Sequence, residues 1–448
     1  MQRKTWSSQL TYILAVAGAT IGFGATWRFP YLVGENGGGA YVLIFIVAMF
    51  VIGIPMILVE NAIGRRLHTN AVDSFKGRWK LVGWMGLVGA FGIMAYYMVI
   101  GGWVLNYIFG VLSGALDLSA PVTAEVTNKF YEENITHAPL AITIATLLFV
   151  AVNFVILLKG AVDGIERTAK YLMPLLFFIM LCIVVRNITL DGAAEGVKFY
   201  LTPDFSKINF KLFVDVLGQV FFALSLGFGV MITLSSFVKK SEGLVKISLL
   251  TGVINTLIAI LAGFMIFPSL FTFGIEPTSG PSLVFKSLPI VFSNMAFGGF
   301  IAVAFFSLLM IAALTTSLPI YEVIITVFQE KFKMSRLKAV LLTLGGIFLL
   351  GNIPSLLASN VLSEVVIFGK NIFDAYDAIS ATIFFVITSL LCAIYVGWVM
   401  KDEAKEEILQ GSERYAKVVN VWFFYIKFIV PFVILIVFVA SFYDNFLR

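Results

Sequence analysis

The sequence predicts an all-α integral membrane protein, and three observations carry that expectation. Apolar residues make up 60% of the 448 and charged residues 13%, with a mean hydropathy of +0.97, far from any soluble domain. Apolar runs of bilayer-spanning length recur near 10–33, 39–64, 83–112, 139–158, 171–189, 213–237, 246–271, 296–328, 338–358, 376–400 and 419–443, which makes eleven spans. Two of these, the first and the sixth, are interrupted by the same tripeptide, Gly22-Phe23-Gly24 and Gly227-Phe228-Gly229.

The first span carries the most information. From Gly18 to Pro30 it holds three glycines, Arg28 and a proline. Glycine loosens a helix and proline removes a donor, so the helix is expected to open between Gly18 and Gly24. In hydrocarbon such an opening is tolerated only where protein or a water-filled cavity satisfies the freed groups. A Gly-x-Gly pair alone equally suits close helix packing. The second copy shifts the reading, because glycine-interrupted spans in corresponding halves mark a binding site between inverted repeats.

Lys and Arg set the orientation. With the N-terminus inside, 21 of the 31 basic residues fall in cytoplasmic segments, as the positive-inside rule requires. Eleven spans then put the C-terminus outside, and the net charge of +5 reports loop topology rather than nucleic-acid binding. The first apolar segment runs to spanning length, so no cleavable signal peptide is expected. Cys182 and Cys392 lie in apolar spans and imply neither disulfide nor metal; His68 and His137 read as solvated. No Walker loop, zinc-protease helix or hydrolase triad is present in suitable context, which removes the simplest enzyme and ATP-driven readings.

In chain order, Trp6 reads as an interfacial anchor, and Glu35 to Ala40 form a flexible external turn. Glu60 lies near the inner end of the second span, where a carboxylate costs about 2.5–3.5 kcal/mol unless it faces the bundle with partners or stays wet at the interface. One of Tyr96 and Tyr97 offers a hydroxyl to a polar ligand while the other packs. Loop 113–138 reads as solvated. Asn255 is a lone amide at depth that needs a partner helix. Residues 280–292 are too apolar for a plain loop and suggest a re-entrant external hairpin. Thr315, Thr316 and Ser317 either bond back to their own helix or offer hard oxygens to an alkali cation.

Gly-x-Gly before Trp27-Arg28-Phe29-Pro30, Glu35-Asn-Gly-Gly-Gly-Ala40, Gly164-Ile-Glu-Arg167, Thr202-Pro-Asp204, Ser225-Leu-Gly-Phe-Gly229 and Leu314-Thr-Thr-Ser317 together resemble the neurotransmitter:sodium symporter family, in its bacterial amino-acid branch. The resemblance runs from residue 3 to about residue 400. It implies one transporter domain over 1–448, a five-plus-five inverted repeat (about 10–189 and 213–400), an extra helix at 419–443, and unwound helices 1 and 6. The inner (plasma) membrane is the implied location.

By the same resemblance, an amino-acid carboxylate would lie on Gly22, Phe23 and Gly24 near Tyr97, at a helix terminus that favours an anion. Where amine transporters have an aspartate this chain has Gly22, which points to an amino acid. The side chain would meet Ile93, Phe222, Phe228 and Ile320. Ser225 and the helix 6 break would receive the amino group, with Phe222 and Tyr97 as lid. Arg28 with Asp377 would close the outside, Asp374 being close enough to be confused with it, and Arg3 with Glu330 the inside.

The family's second sodium site is intact: carbonyls of Gly18, Ile21 and Ala312 and hydroxyls of Thr315 and Thr316. Its first site is depleted, with Ala25 and Ala223 in place of polar ligands and only Asn255 kept; Thr20 either replaces a substrate contact or fills space. The chloride positions carry Phe45, Ala223 and Ala259, an apolar lining that cannot repay ion desolvation. The expectation is symport of a neutral hydrophobic amino acid with one sodium ion and no chloride. The alternatives are proton-coupled or ion-independent transport, with Glu60 the carboxylate to suspect, or a transport-inactive sensor.

Overall fold

The computed structural model describes residues 4–276 and 283–447. The helices are α1 (Gln9–Thr20), α2 (Gly24–Glu35), α3 (Gly39–Leu67), α4 (Gly77–Leu112), α5 (Ala124–Tyr131), α6 (Pro139–Leu157), α7 (Ala161–Ile188), α8 (Ala193–Leu201), α9 (Phe210–Ala223), α10 (Val230–Ser235), α11 (Leu244–Thr272), α12 (Leu283–Ser293), α13 (Gly298–Glu330), α14 (Arg336–Leu357), α15 (Ile372–Met400), α16 (Asp402–Leu409) and α17 (Glu413–Leu447). Among the described residues nine helices are long and apolar enough to cross a membrane, ten if the bent pair α1 and α2 is one span. The remaining expected span, 213–237, is divided into α9 and α10, each too short alone. Eleven crossings therefore become nine unbroken helices and two broken ones.

The breaks follow the glycines. α1 and α2 meet at 65° across residues 21–23. Between α9 and α10 the chain takes positive φ at Ser225 (51°), Gly227 (82°) and Gly229 (77°), conformations that a helix cannot continue and that glycine adopts without cost. Several helices start on side-chain caps. Ser8 accepts from the Thr11 N–H, Asn209 from Leu212 at 2.9 Å, and Asn371 from Asp374 at 2.9 Å. The fifth expected span begins ten residues early as α7, because Ala161–Glu166 is already helical ahead of its apolar run.

α4 and α13 run through the middle of the bundle, whereas α7 and α17 present much of their length outward. Trp6 departs from its expected place. It is buried at 4% exposure, with Tyr12 and Phe237 at 5.7 and 6.1 Å and its indole N–H donating to the Leu234 carbonyl at 2.9 Å. Its ring finds more apolar contact under α10 than at an interface. His68 likewise is not simply solvated, since its Nδ1 donates to the Ser236 carbonyl at 2.8 Å. The 113–138 loop folds rather than floats: α5 buries Phe130 under Tyr107, 5.1 Å between rings. The apolar 280–292 stretch, described from residue 283, is the buried helix α12, whose Phe285 carbonyl accepts from Tyr107 at 2.6 Å.

Candidate functional site

The two breaks face one another and are stitched by side chains from neighbouring spans. Gln219 on α9 donates to the Gly24 carbonyl at 2.6 Å, and Ser225 donates to the Ala19 carbonyl at 2.9 Å. The Gly227 N–H donates to the Glu60 carboxylate at 2.7 Å, and the second oxygen of that buried carboxylate has no partner among the described residues. Asn255 on α11 donates to the Thr20 and Ala223 carbonyls at 3.1 and 3.2 Å, while its own carbonyl oxygen has no partner among the described residues. Each break thus exposes main-chain groups that specific amides, a hydroxyl and a carboxylate satisfy, as burial demands.

Next to the first break lies a cluster of oxygens. Thr316 Oγ1 donates to the Gly18 carbonyl at 2.8 Å; Thr315 Oγ1 donates to the Ile311 and Ala312 carbonyls at 2.9 and 3.2 Å. A Cβ on Gly18 would come within 3.1 Å of Thr315 Cβ, so glycine is what lets α1 reach α13 here. Ile21, the first residue beyond α1, has its N–H on the Ala17 carbonyl at 2.9 Å. Two carbonyls and two hydroxyls drawn together in a buried place make a neutral, hard-oxygen donor set that fits a small alkali cation, since each hydroxyl turned the other way presents a lone pair. The surroundings of Asn255 differ. There the protein's own N–H donors already occupy the two carbonyls.

Tyr97 and Thr316 close on the glycine of the first break. A Cβ on Gly22 would stand 2.5 Å from the Tyr97 hydroxyl and 2.6 Å from Thr316 Oγ1. The Tyr97 ring lies 4.8 Å from that of Phe23. Ile93, Phe228 and Ile320 are buried, and Phe228 stacks on Phe385. Two hydroxyls named from the sequence bond to main-chain carbonyls here: Thr20 donates to the Ala17 carbonyl of its own helix at 3.0 Å, and Ser225 to the Ala19 carbonyl at 2.9 Å.

Above Phe222 is a vestibule of about 160 Å³ lined by Arg28, Tyr31, Tyr96, Phe222, Asp374 and Asp377. Arg28 lies 4.6 Å over the Phe222 ring, and Asp377 accepts from Tyr96 at 2.6 Å. Arg28 and Asp377, the pair expected to close the outside, thus share a chamber with each member held by an aromatic neighbour, and Asp374 is engaged with Asn371 at 2.7 Å. Tyr96 and Tyr97 of α4 both face this region. On the other side Glu330 accepts from the Asn70 N–H at 2.7 Å and from Thr69 at 3.3 Å; Arg3 lies outside the described residues. Lys4 pairs with Asp163 and Ser7 with Glu166, so the segment before α1 is tied to the start of α7.

The basic loops at this end carry their own ion pairs. Arg65 and Lys240 hold Glu407 of α16 at 2.6 and 2.5 Å, and Arg66 and Lys76 hold Glu403 at 2.9 and 2.8 Å. Lys80 and Lys331 converge on Asp73 at 2.7 and 3.2 Å. Burial would raise the Asp73 carboxyl, but Lys80, Asn70 and Lys331 outweigh it and hold it down to about 2.

Sequence reasoning missed three supports. Gln219 sits in the expected sixth span but drew no role. Asn352 donates to the Met94 and Ala95 carbonyls at 2.8 Å each, one turn from Tyr97. Asn153 accepts from Ser317 at 2.6 Å, beside the two threonines. The available signal was the same in each case: a lone amide in an apolar span, which must find a partner.

A model of the sodium:neurotransmitter symporter family matches residues 3–139 and 134–446. An uncharacterised sodium-dependent transporter of Haemophilus influenzae is 61% identical, over 98% of both chains. The uncharacterised sodium-dependent transporter YhdH of Bacillus subtilis is 36% identical over 97% of this chain and 96% of its own. The crystal structure of MhsT in complex with L-phenylalanine superposes with a TM-score of 0.89 at 38% identity, covering 98% of this chain and all of that one.

Proposed function

Because the chain belongs to the sodium:neurotransmitter symporter family, we propose that it carries a neutral hydrophobic amino acid across the plasma membrane with a single sodium ion and without chloride. The carboxylate lies at the Gly22–Gly24 opening under the Tyr97 hydroxyl, and the side chain lies among Ile93, Phe228 and Ile320. The phenylalanine in MhsT supports an apolar substrate for a chain this similar. A glycine at position 22, with two hydroxyls crowding the place a Cβ would take, supports a backbone anion there over a side-chain one.

The observation that carries the single-ion reading is Asn255. Its amide group caps the Thr20 and Ala223 carbonyls where a second cation would draw oxygens together, and Ala25 and Ala223 offer no side-chain ligand. Gly18, Ala312, Thr315 and Thr316 hold the sodium; Ile21 adds its carbonyl. Phe45 and Ala259 are fully buried and Ala223 nearly so, so a chloride there would lose its hydration for nothing in return. Sodium supplies the positive charge that draws α1 against α13 and so favours the closed site. Equilibrium binding of labelled L-phenylalanine and L-leucine to the purified protein, titrated with sodium, tests the reading. A Hill coefficient near one, unchanged when chloride is replaced by gluconate, is expected; a coefficient near two or a chloride requirement contradicts it.

A further inference from the structure

A groove of about 660 Å³ runs along the outward surface of the bundle where α9 meets α17. Its walls are apolar: Phe210 and Val214 from α9, and Leu435, Val439 and Tyr443 from α17. All of these but Val214 are exposed, so in a membrane something apolar covers them. Two charges stand at its rim. Lys211 is steadied by Asp215 at 2.6 Å, which leaves the rest of its ammonium free to donate, and Asp444 is exposed on the last turn of α17. The groove lies at the end of the bundle opposite the basic loops, with aromatic residues at its mouth as at a membrane boundary.

We infer that this groove binds a phosphatidylethanolamine-type lipid, an acyl chain along the α9–α17 seam and the head group spanning Lys211 and Asp444. The match is one of charge and donors. A phosphoethanolamine head carries a phosphate for Lys211 and, two carbons away, an ammonium whose N–H bonds suit Asp444. Phosphatidylglycerol has the phosphate but offers Asp444 no cation, and the choline ammonium has no N–H to donate. A second copy of the chain is the competing occupant, and the cross-linking arm below distinguishes it.

The site bears on the external lid. Val214 also lines a polar cavity of about 110 Å³ that contains Arg28 and Phe222 and, from α17, Ser441 and Asn445. The lipid-filled seam therefore continues into the packing behind the lid. An occupant that fixes α9 against α17 restrains the helix that carries Phe222.

Native mass spectrometry of the full chain released from nanodiscs of equal phosphatidylethanolamine, phosphatidylcholine and phosphatidylglycerol tests the assignment. One phosphatidylethanolamine per chain is expected, retained about tenfold over the other two, a ratio that corresponds to one good charged contact. Asp444→Asn erases the preference, Lys211→Gln weakens retention of all three lipids, and Val439→Trp, which fills the groove, expels the lipid. Equal retention of the three lipids, a preference for phosphatidylglycerol, or cross-linking of two chains through a cysteine at position 439 overturns the proposal; the wild-type competition alone decides it if a variant fails to fold. Hydrogen exchange over residues 210–223, slower in phosphatidylethanolamine than in phosphatidylcholine nanodiscs, is the signature of the brace, and identical exchange removes it.

Discussion

Thr316 donates its hydroxyl hydrogen to the main-chain carbonyl of Gly18 across 2.8 Å, joining the opened first helix to α13. In the same place Thr315 touches the Ala312 carbonyl. Thr315→Ala and Thr316→Ala each remove one oxygen from the cation set and are expected to weaken sodium activation about tenfold or more, the worth of one contact to a charged group. Sodium titration of substrate binding reads this directly. Unchanged sodium affinity in both variants would place the ion elsewhere.

Gly22 leaves no room for a side chain. A Cβ there would press on the Tyr97 hydroxyl and Thr316 Oγ1, and overpacking of this kind costs about 1–3 kcal/mol in a close-packed interior. Gly22→Ala is expected to abolish substrate binding while the chain still assembles in the membrane, measured by binding alongside thermal stability. Full binding by the variant would mean that the substrate does not use this opening.

Asn255 distinguishes a structural amide from a sodium ligand. Asn255→Leu leaves the Thr20 and Ala223 carbonyls without donors, at about 1–3 kcal/mol for a buried group so orphaned, and the melting temperature is expected to fall equally with and without sodium. A loss of the sodium-induced increment in melting temperature, with little change in its absence, would make Asn255 part of a second ion site.

Glu60 tests the proton-coupled alternative. Its carboxylate takes the Gly227 N–H and has one buried oxygen unpartnered among the described residues. Glu60→Gln keeps an acceptor for Gly227 and is expected to retain sodium-driven uptake with the wild-type pH profile. A pH-dependent uptake that vanishes in this variant would assign the coupling to protons.

Asp73 anchors Lys80 and Lys331 near the inner end of the bundle. Its folded carboxyl titrates at about 2, below the roughly 3.9 of an unfolded aspartate. The stabilisation it gives is therefore present in full above the unfolded value and is lost as pH falls through the folded one. Uptake measured between pH 5 and 8 is expected to show no step from this group, and Asp73→Asn should lower activity equally across that window. A variant whose deficit appears only at one end of the window would refute this.

The sequence made the spans and both breaks legible because their signals are local: apolar length for the spans and glycine for the breaks, through positive φ at Gly227 and Gly229 and through close approach of side chains at Gly22. Tyr97 and Tyr96 could not be told apart in the residues, since both side chains look inward and only packing assigns one to Gly22 and the other to Asp377. Thr20 and Ser225 escaped for a related reason. A hydroxyl beside an opened helix has carbonyls within reach, and which one it takes depends on angles that no spacing records. Trp6 misled because an aromatic residue ahead of a span serves an interface or a core equally well until the neighbouring helix is known.

Uptake of labelled neutral amino acids into proteoliposomes with an inward sodium gradient tests the central claim most directly, with potassium and choline gradients as controls. Accumulation of a hydrophobic amino acid above its external concentration, collapsing when sodium is replaced and rising with sodium at a Hill coefficient near one, is the predicted result. Uptake indifferent to sodium, or saturable binding with no accumulation at all, would contradict it.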